Sequence, residues 1–150
     1  SEEEGLRNCV AGIREIIDVA EEHDVTICIE FLNSKLNHPD YQFDNMAFGL
    51  ELVQRVGSDH FKILYDIYHA QVDEGDIIQT IRDHADSIGH YHTAGVPGRN
   101  ELNDKQELNY PAIMEAIVET GYEGWVGHEF IPTRDDVFES LREAVEVCDV

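Results

Sequence analysis

The 150-residue chain carries 32 acidic and ten basic residues, which give a formal net charge of −22. A surface of this charge repels phosphates, so the composition argues against a DNA- or RNA-binding protein. The apolar share of 42% is enough for one globular domain, and no run approaches the roughly 18 apolar residues of a membrane helix. We therefore expect one domain over 1–150, with neither a nucleic-acid nor a membrane partner.

The cysteines at positions 9, 28 and 148 form no CxxC pair. An odd number of scattered cysteines is typical of reduced thiols and predicts a cytoplasmic location. The excess of acidic residues fits both a halophilic source and an ordinary acidic enzyme.

Helix and strand patterns alternate along the chain. Apolar residues at helical spacing predict a first helix over about 2–23, and the β-branched run at 25–31 predicts a strand buried on both faces. Further strands are predicted at 61–66, 88–93 and 125–130, and further helices at 44–57, 76–87, 111–120 and 134–148. This α(βα)4 order predicts an α/β fold with four parallel strands and right-handed crossovers.

Four parallel strands form either a small open sheet or half of a closed barrel. An eight-stranded (β/α)8 barrel takes roughly 250 residues, so this chain has material for half of one. The chain also opens on a helix with no preceding strand, which resembles a cut through a longer protein. We therefore predict a single partial barrel domain.

One polar residue falls at or near the carboxyl end of each predicted strand. These are Glu30, Asp66, His92 and Glu129, about one βα unit apart. The carboxyl ends of parallel strands lie on one face, so the four side chains are expected to converge. Three carboxylates and one imidazole would repel one another without a cation, and this donor set suits Mg²⁺, Mn²⁺, Co²⁺ or Zn²⁺.

Four segments carry a resemblance to a known family: YDIYHAQVDEGD (65–76), GHYHTAGVPGR (89–99), ELNYP (107–111) and GYEGWVGHEF (121–130). They resemble the hydroxypyruvate isomerase branch of the xylose-isomerase-like (AP endonuclease family 2) TIM barrels. The resemblance runs from Val25 to the end and implies the C-terminal half of the (β/α)8 barrel.

The resemblance also implies roles for individual residues. It makes Glu30, Asp66, His92 and Glu129 the ligands of one divalent metal ion, and Glu30 and Glu129 also the acid/base pair. Hydroxypyruvate isomerases commonly have Gln at the third ligand position, whereas His92 is similar to the ketose 3-epimerases.

Two further residues match positions that contact substrate in the family. His69, in D-x-x-H, would contact a substrate oxygen, and Arg99 would bind a substrate carboxylate in bidentate fashion. The alternatives are a histidine packed in a loop, and a structural salt bridge from Arg99 to Glu101 or Glu107.

The favoured activity is a metal-dependent isomerase that converts a small hydroxy-carbonyl acid through an enediolate, with hydroxypyruvate to tartronate semialdehyde as the best single choice. A ketose 3-epimerase or sugar isomerase is the nearest alternative, and a catalytically incomplete half-barrel is another. A metal phosphodiesterase resembling AP endonuclease would need a basic DNA-facing surface, which the net charge of −22 contradicts. The expected partners are a small-molecule substrate and either the missing N-terminal half of the barrel or a second copy.

Overall fold

Helices and strands alternate along the whole chain in the computed structural model, which describes residues 1–150. The strands are β1 (Ile27–Glu30), β2 (Phe61–Asp66), β3 (Ile88–Thr93) and β4 (Val126–His128). The helices are α1 (Glu2–Arg14), α2 (Ile17–Glu22), α3 (Met46–Val56), α4 (Ile67–Asp73), α5 (Ile77–His84), α6 (Tyr110–Glu119) and α7 (Val137–Cys148), and a 3₁₀ turn at Ala85–Ser87 follows α5. None of the helices combines the length and apolar character needed to cross a bilayer.

The four strands form one parallel sheet in the order β1-β2-β3-β4, as the sequence predicts. The core lies against one face of this sheet, and its fully buried members include Phe61, Ile63, Tyr65 and Tyr91. The strands β1 and β4 form the two edges, since each pairs with a single neighbour.

The prediction that the first strand is buried on both faces is wrong. Every residue of β1 is only partly buried, and in β2 buried residues alternate with partly buried ones before the last two. An edge strand has a neighbour on one side only, and this sheet is covered mainly on one face. Full burial of β1 would require cover on the second face of the sheet as well as a neighbour at its open edge.

Two helix predictions also need correction. The helix predicted over 2–23 is interrupted at Glu15 and Ile16, whose backbone N–H groups bond three residues back rather than four. The helix α4, directly after β2, is absent from the sequence prediction. It begins without a loop because the carboxylate of Asp66 accepts a hydrogen bond from the backbone N–H of His69 at 3.1 Å and caps the first turn.

Exposed apolar side chains gather beside both edges of the sheet. Ile16, Val19 and Val25 lie beside β1, and Trp125, which is 83% exposed, directly precedes β4. A second exposed apolar strip runs along α7, formed by Phe138, Leu141 and Val145. Contiguous apolar surface of this kind usually marks a contact with another folded element.

Candidate active site

The four strand-end side chains singled out by the sequence meet at the carboxyl face of the sheet. One ligand atom from each of Glu30, Asp66, His92 and Glu129 lies within 4.8 Å of every other. The strand register explains this, since Asp66 stands beside His92. Glu129 lies just beyond β4, where its backbone N–H continues the ladder by donating to Thr93 O at 3.0 Å.

The imidazole of His92 is the centre of the cluster. Its Nδ1 lies 3.1 Å from Glu129 Oε2, 3.8 Å from Glu30 Oε1 and 3.9 Å from Asp66 Oδ2. The carboxylates of Glu30 and Glu129 raise the pKa of His92, with the closer contact to Glu129. The Nδ1 nitrogen is therefore the ring atom that faces all three carboxylates.

The carboxylates differ in their surroundings. Asp66 is buried, and burial raises its pKa to about 6 although the N–H of His69 and the charge of Arg99 act in the opposite direction. Burial alone would also raise the pKa of Glu30, but the imidazole of His92 at 3.8 Å and the positive charge of Arg99 hold that pKa below its ordinary value. Glu129 is about half exposed. The carboxylates of Glu30 and Glu129 are therefore accessible at the front of the cluster, and that of Asp66 lies behind them.

This donor set fits a divalent cation. Six-coordinate Mg²⁺ or Mn²⁺ with bonds of about 2.1 Å places neighbouring ligand atoms about 3.0 Å apart and opposite ones about 4.2 Å apart, close to the separations here. Glu30 Oε1, which points into the cluster, is buried and accepts no hydrogen bond. Because a buried carboxylate oxygen normally has a partner, this atom is suited to a ligand.

His69 lies behind the cluster and is completely buried. Its Nδ1 faces the backbone N–H of Asn33 at 3.0 Å, and its Nε2, which has no hydrogen-bond partner, lies 3.9 Å from Asp66 Oδ2. Burial lowers the pKa of His69 to about 4, so the ring is neutral near pH 7. The structure thus places His69 at the site, with Nε2 directed towards Asp66, one of the three carboxylates of the cluster.

Arg99 reaches the same cluster from the loop after β3. Its Nη2 donates to Glu129 Oε2 at 2.7 Å and to Asp66 Oδ2 at 3.4 Å, and its guanidinium lies over the ring of Tyr68. The alternative of a salt bridge from Arg99 to Glu101 or Glu107 is wrong, because the loop turns the side chain inwards. Arg99 itself has φ of 59°, and Gly98 before it has φ of 98°, which permits this tight turn.

Sequence reasoning missed two residues that support the site. Asn33 is buried beside His69, and Glu101 is a buried carboxylate that binds the segment after β4. The signal for Asn33 in the sequence is its place three residues after Glu30, in the segment that follows the first strand, where site residues gather. Glu101 follows Arg99 by two residues, and its sequence neighbours do not distinguish a carboxylate that binds the segment after β4 from a partner of that arginine.

Comparison with known proteins identifies the family. The profile of the xylose isomerase-like TIM barrel family matches residues 1–149. The chain belongs to this family. One relative is the hydroxypyruvate isomerase of Escherichia coli K12, which is 34% identical over 82% of this chain and 47% of the relative. The 2-oxo-tetronate isomerase of Cupriavidus necator is 36% identical over 77% of this chain and 44% of the relative.

Solved structures agree with this assignment. AP endonuclease, family 2, from Brucella melitensis superposes with a TM-score of 0.84 at 31% identity, over 89% of this chain and 51% of that one. D-psicose 3-epimerase from Clostridium cellulolyticum H10, solved with D-tagatose, superposes with a TM-score of 0.80 at 26% identity, over 98% and 55%. The chain spans about half the length of the relatives it matches. The α/β, half-barrel architecture predicted from the sequence is confirmed.

Proposed function

We propose that this chain carries the metal site and proton-transfer groups of a divalent-metal-dependent isomerase that acts on a small hydroxy-carbonyl acid. The observation that carries the proposal is the convergence of three carboxylates and one imidazole, with ligand atoms within 4.8 Å of one another, beside a buried histidine and an arginine. Conversion of hydroxypyruvate to tartronate semialdehyde is the favoured reaction, supported by relatives that bear the name hydroxypyruvate isomerase.

Glu30, Asp66, His92 and Glu129 would hold one Mn²⁺, Mg²⁺, Co²⁺ or Zn²⁺ ion. When bound, a divalent ion supplies electrostatic stabilisation of the negative charge that develops on two substrate oxygens. Asp66 and His92 serve only as ligands in this proposal, since Asp66 is the most deeply buried of the four. Glu30 and Glu129 are nearer the open side of the cluster and are assigned a second task.

That task is proton transfer. In hydroxypyruvate, one glutamate removes a proton from the hydroxymethyl carbon, and the electron pair of the broken C–H bond forms the enediolate. Return of a proton to the neighbouring carbon, together with transfer of the hydroxyl proton to the former carbonyl oxygen, completes tartronate semialdehyde without any oxidant or reductant. Glu30 and Glu129 approach His92 from the two edge strands of the sheet, a placement that suits delivery to adjacent carbons.

Arg99 is assigned to the substrate carboxylate. Its Nη2 is engaged by Glu129 and Asp66, whereas its Nε is buried and has no partner. The partnerless Nε can donate one hydrogen bond to a substrate carboxylate, and a second, parallel bond would require Nη2 to exchange one of its present partners for the substrate.

Calorimetric titration of metal-stripped protein with Mn²⁺ tests the metal site. Binding with one-to-one stoichiometry is expected, and Asp66→Asn and Glu129→Gln should each weaken it by at least tenfold, because each removes one anionic ligand. Glu115→Gln is the matched control, because Glu115 is exposed on α6 and makes no side-chain hydrogen bond or salt bridge. A folded protein that binds no Mn²⁺, or variants that bind as the control does, would reject the site.

A ketose 3-epimerase is a second candidate, favoured by His92 at the third ligand position and by the likeness to D-psicose 3-epimerase. The two candidates differ in the need for a carboxylate on the substrate. Turnover of hydroxypyruvate that is impaired by Arg99→Gln supports the keto-acid isomerase. Turnover of D-psicose or D-fructose instead, with hydroxypyruvate unchanged, supports the epimerase.

The two open sheet edges bear on whether the chain acts alone. We propose that β1 and β4, with the exposed apolar side chains beside them, pair with four further βα units, either of a longer protein or of a second copy. The mass in solution separates these possibilities, since a self-paired barrel doubles the 17.1 kDa of the chain. A monomer that binds Mn²⁺ but turns over neither substrate would identify a catalytically incomplete half-barrel.

A further inference from the structure

The side-chain orientation of Asn33 is determined by its surroundings. Its Oδ1 accepts hydrogen bonds from the backbone N–H groups of Leu36 at 3.1 Å and Asn37 at 3.0 Å. Exchange of oxygen and nitrogen would direct an NH₂ group at two N–H donors, so the amide has one acceptable orientation. The Nδ2 group therefore lies on the other side, where it donates to Asn37 Oδ1 at 2.9 Å and lies 2.6 Å from His69 Nδ1.

Two donors consequently face the same ring nitrogen of His69. The backbone N–H of Asn33 is 3.0 Å from Nδ1, and the Nδ2 group of the same residue is 2.6 Å from it. A proton on Nδ1 would point at both donors, whereas a lone pair accepts from them. The neutral imidazole must then carry its proton on Nε2.

The Nε2 atom is directed towards the site. It is buried, has no hydrogen-bond partner, and lies 3.9 Å from Asp66 Oδ2. A buried N–H group without a partner is rare in folded proteins and indicates a position for a ligand oxygen.

We propose that Asn33 is a positioning residue that holds His69 in the tautomer with the proton on Nε2, so that His69 donates a hydrogen bond to a substrate oxygen. This role rests on the proposed function, but the tautomer itself does not. The opposite tautomer would present a lone pair to an oxygen on which negative charge develops, and would repel it.

The tautomer can be measured without activity. Two-bond ¹H–¹⁵N correlation spectra of the protein, recorded near pH 7 with and without Mg²⁺, distinguish a protonated from an unprotonated ring nitrogen. We expect His69 to show a proton on Nε2 and none on Nδ1. A proton on Nδ1 in the wild-type protein overturns the proposal.

Asn33→Asp tests the part played by the amide. An aspartate keeps the oxygen that accepts from Leu36 and Asn37, so the turn is retained, but replaces the Nδ2 donor by an anionic acceptor. We expect the attraction of the new carboxylate to outweigh the backbone N–H donor that remains, so that Nδ1 of His69 gains a proton in this variant. The control is Asn8→Asp, which adds the same charge at an exposed position of α1 and should leave the His69 spectrum unchanged. A folded Asn33→Asp variant with an unaltered His69 ring overturns the proposal.

A double-mutant cycle links the tautomer to the reaction. If the enzyme turns over hydroxypyruvate or a ketose, Asn33→Asp should lower kcat by about a hundredfold to a thousandfold, the order seen on loss of a donor to a developing oxyanion. The same change in a His69→Gln background should have little further effect, because Asn33 acts through His69. Independent, additive losses would overturn the positioning role. The expected tautomer with no turnover would instead count against the proposed function alone.

Discussion

Replacement of Glu101 by glutamine is expected to destabilise the protein in a pH-dependent way. The carboxylate is 4% exposed and accepts three hydrogen bonds, from the backbone N–H of Thr133 at 2.6 Å, the hydroxyl of Thr133 at 2.8 Å and the hydroxyl of Ser140 at 2.8 Å. These bonds join the loop that carries Arg99 to the segment that follows Glu129. Glutamine has the same shape but turns one of the two oxygens into an NH₂ group that faces donors.

The magnitude follows from the protonation equilibrium. Burial alone would raise the pKa of Glu101, but the hydrogen bonds from Thr133 and Ser140 lower it from 4.5 to about 2. At 1.36 kcal/mol per pKa unit, the ionised form contributes at most about 3 kcal/mol to the free energy of unfolding. Since the pKa is lowered in the folded state, this contribution is fully present above pH 4.5 and is lost as the pH falls towards 2.

Urea unfolding at pH 7 and pH 3 measures this effect. The Glu101→Gln variant should have a free energy of unfolding about 2–3 kcal/mol below wild type at pH 7, and the deficit should shrink to roughly half at pH 3. Glu115→Gln on the exposed face of α6 is the control for the loss of one charge. The reasoning is refuted if Glu101→Gln matches this control at pH 7, or if its deficit is the same at both pH values.

Three further predictions concern packing and charge. Tyr110→Phe should lower the free energy of unfolding by about 1–3 kcal/mol in urea titrations, because the buried hydroxyl both donates to Ala94 O and accepts from Ala94 N; a loss no larger than experimental error would contradict this. Gly49→Ala should lower the free energy of unfolding by about 1–3 kcal/mol, because the added methyl group would overlap the ring of Phe43. Gly12→Ala has open space around it and should instead raise the free energy of unfolding by about 0.5–1 kcal/mol through α1. Equal effects of the two changes would argue against the packing explanation. Because a net charge of −22 destabilises the folded state through repulsion between like charges, screening by 1 M NaCl should raise the melting temperature. A lower melting temperature in salt would show that this repulsion does not limit the stability of the protein.

The candidate ligands could be found from the sequence because of a general property of parallel sheets. Each βα unit returns the chain to the same end of the sheet, so residues at the ends of successive strands converge whatever the details of packing. The strand pattern alone was enough to locate the four residues, and the structure brings them together: Glu30, Asp66, His92 and Glu129. Their roles as ligands and proton carriers remain predictions for the experiments above.

The surroundings of these residues could not be found in this way, because they depend on contacts between segments distant in sequence. The helix α4 begins without a turn residue, since the Asp66 side chain caps it. The partners of Arg99 depend on the path of a loop with residues at positive φ, and a sequence offers the nearby Glu101 and Glu107 just as readily.

The alternation of helices and strands, the parallel sheet and the convergence of the four strand-end residues could all be read from the chain, because they follow from local periodicity and connectivity. Three other features depend on packing in the folded molecule: which nitrogen of His69 faces the site, which carboxylates pair with Arg99, and the contact by which Glu101 joins two loops. Hydrogen-bond partners separated by 30 residues or more are selected by three-dimensional packing, so an individual pair of this kind cannot be predicted from a pattern along the chain.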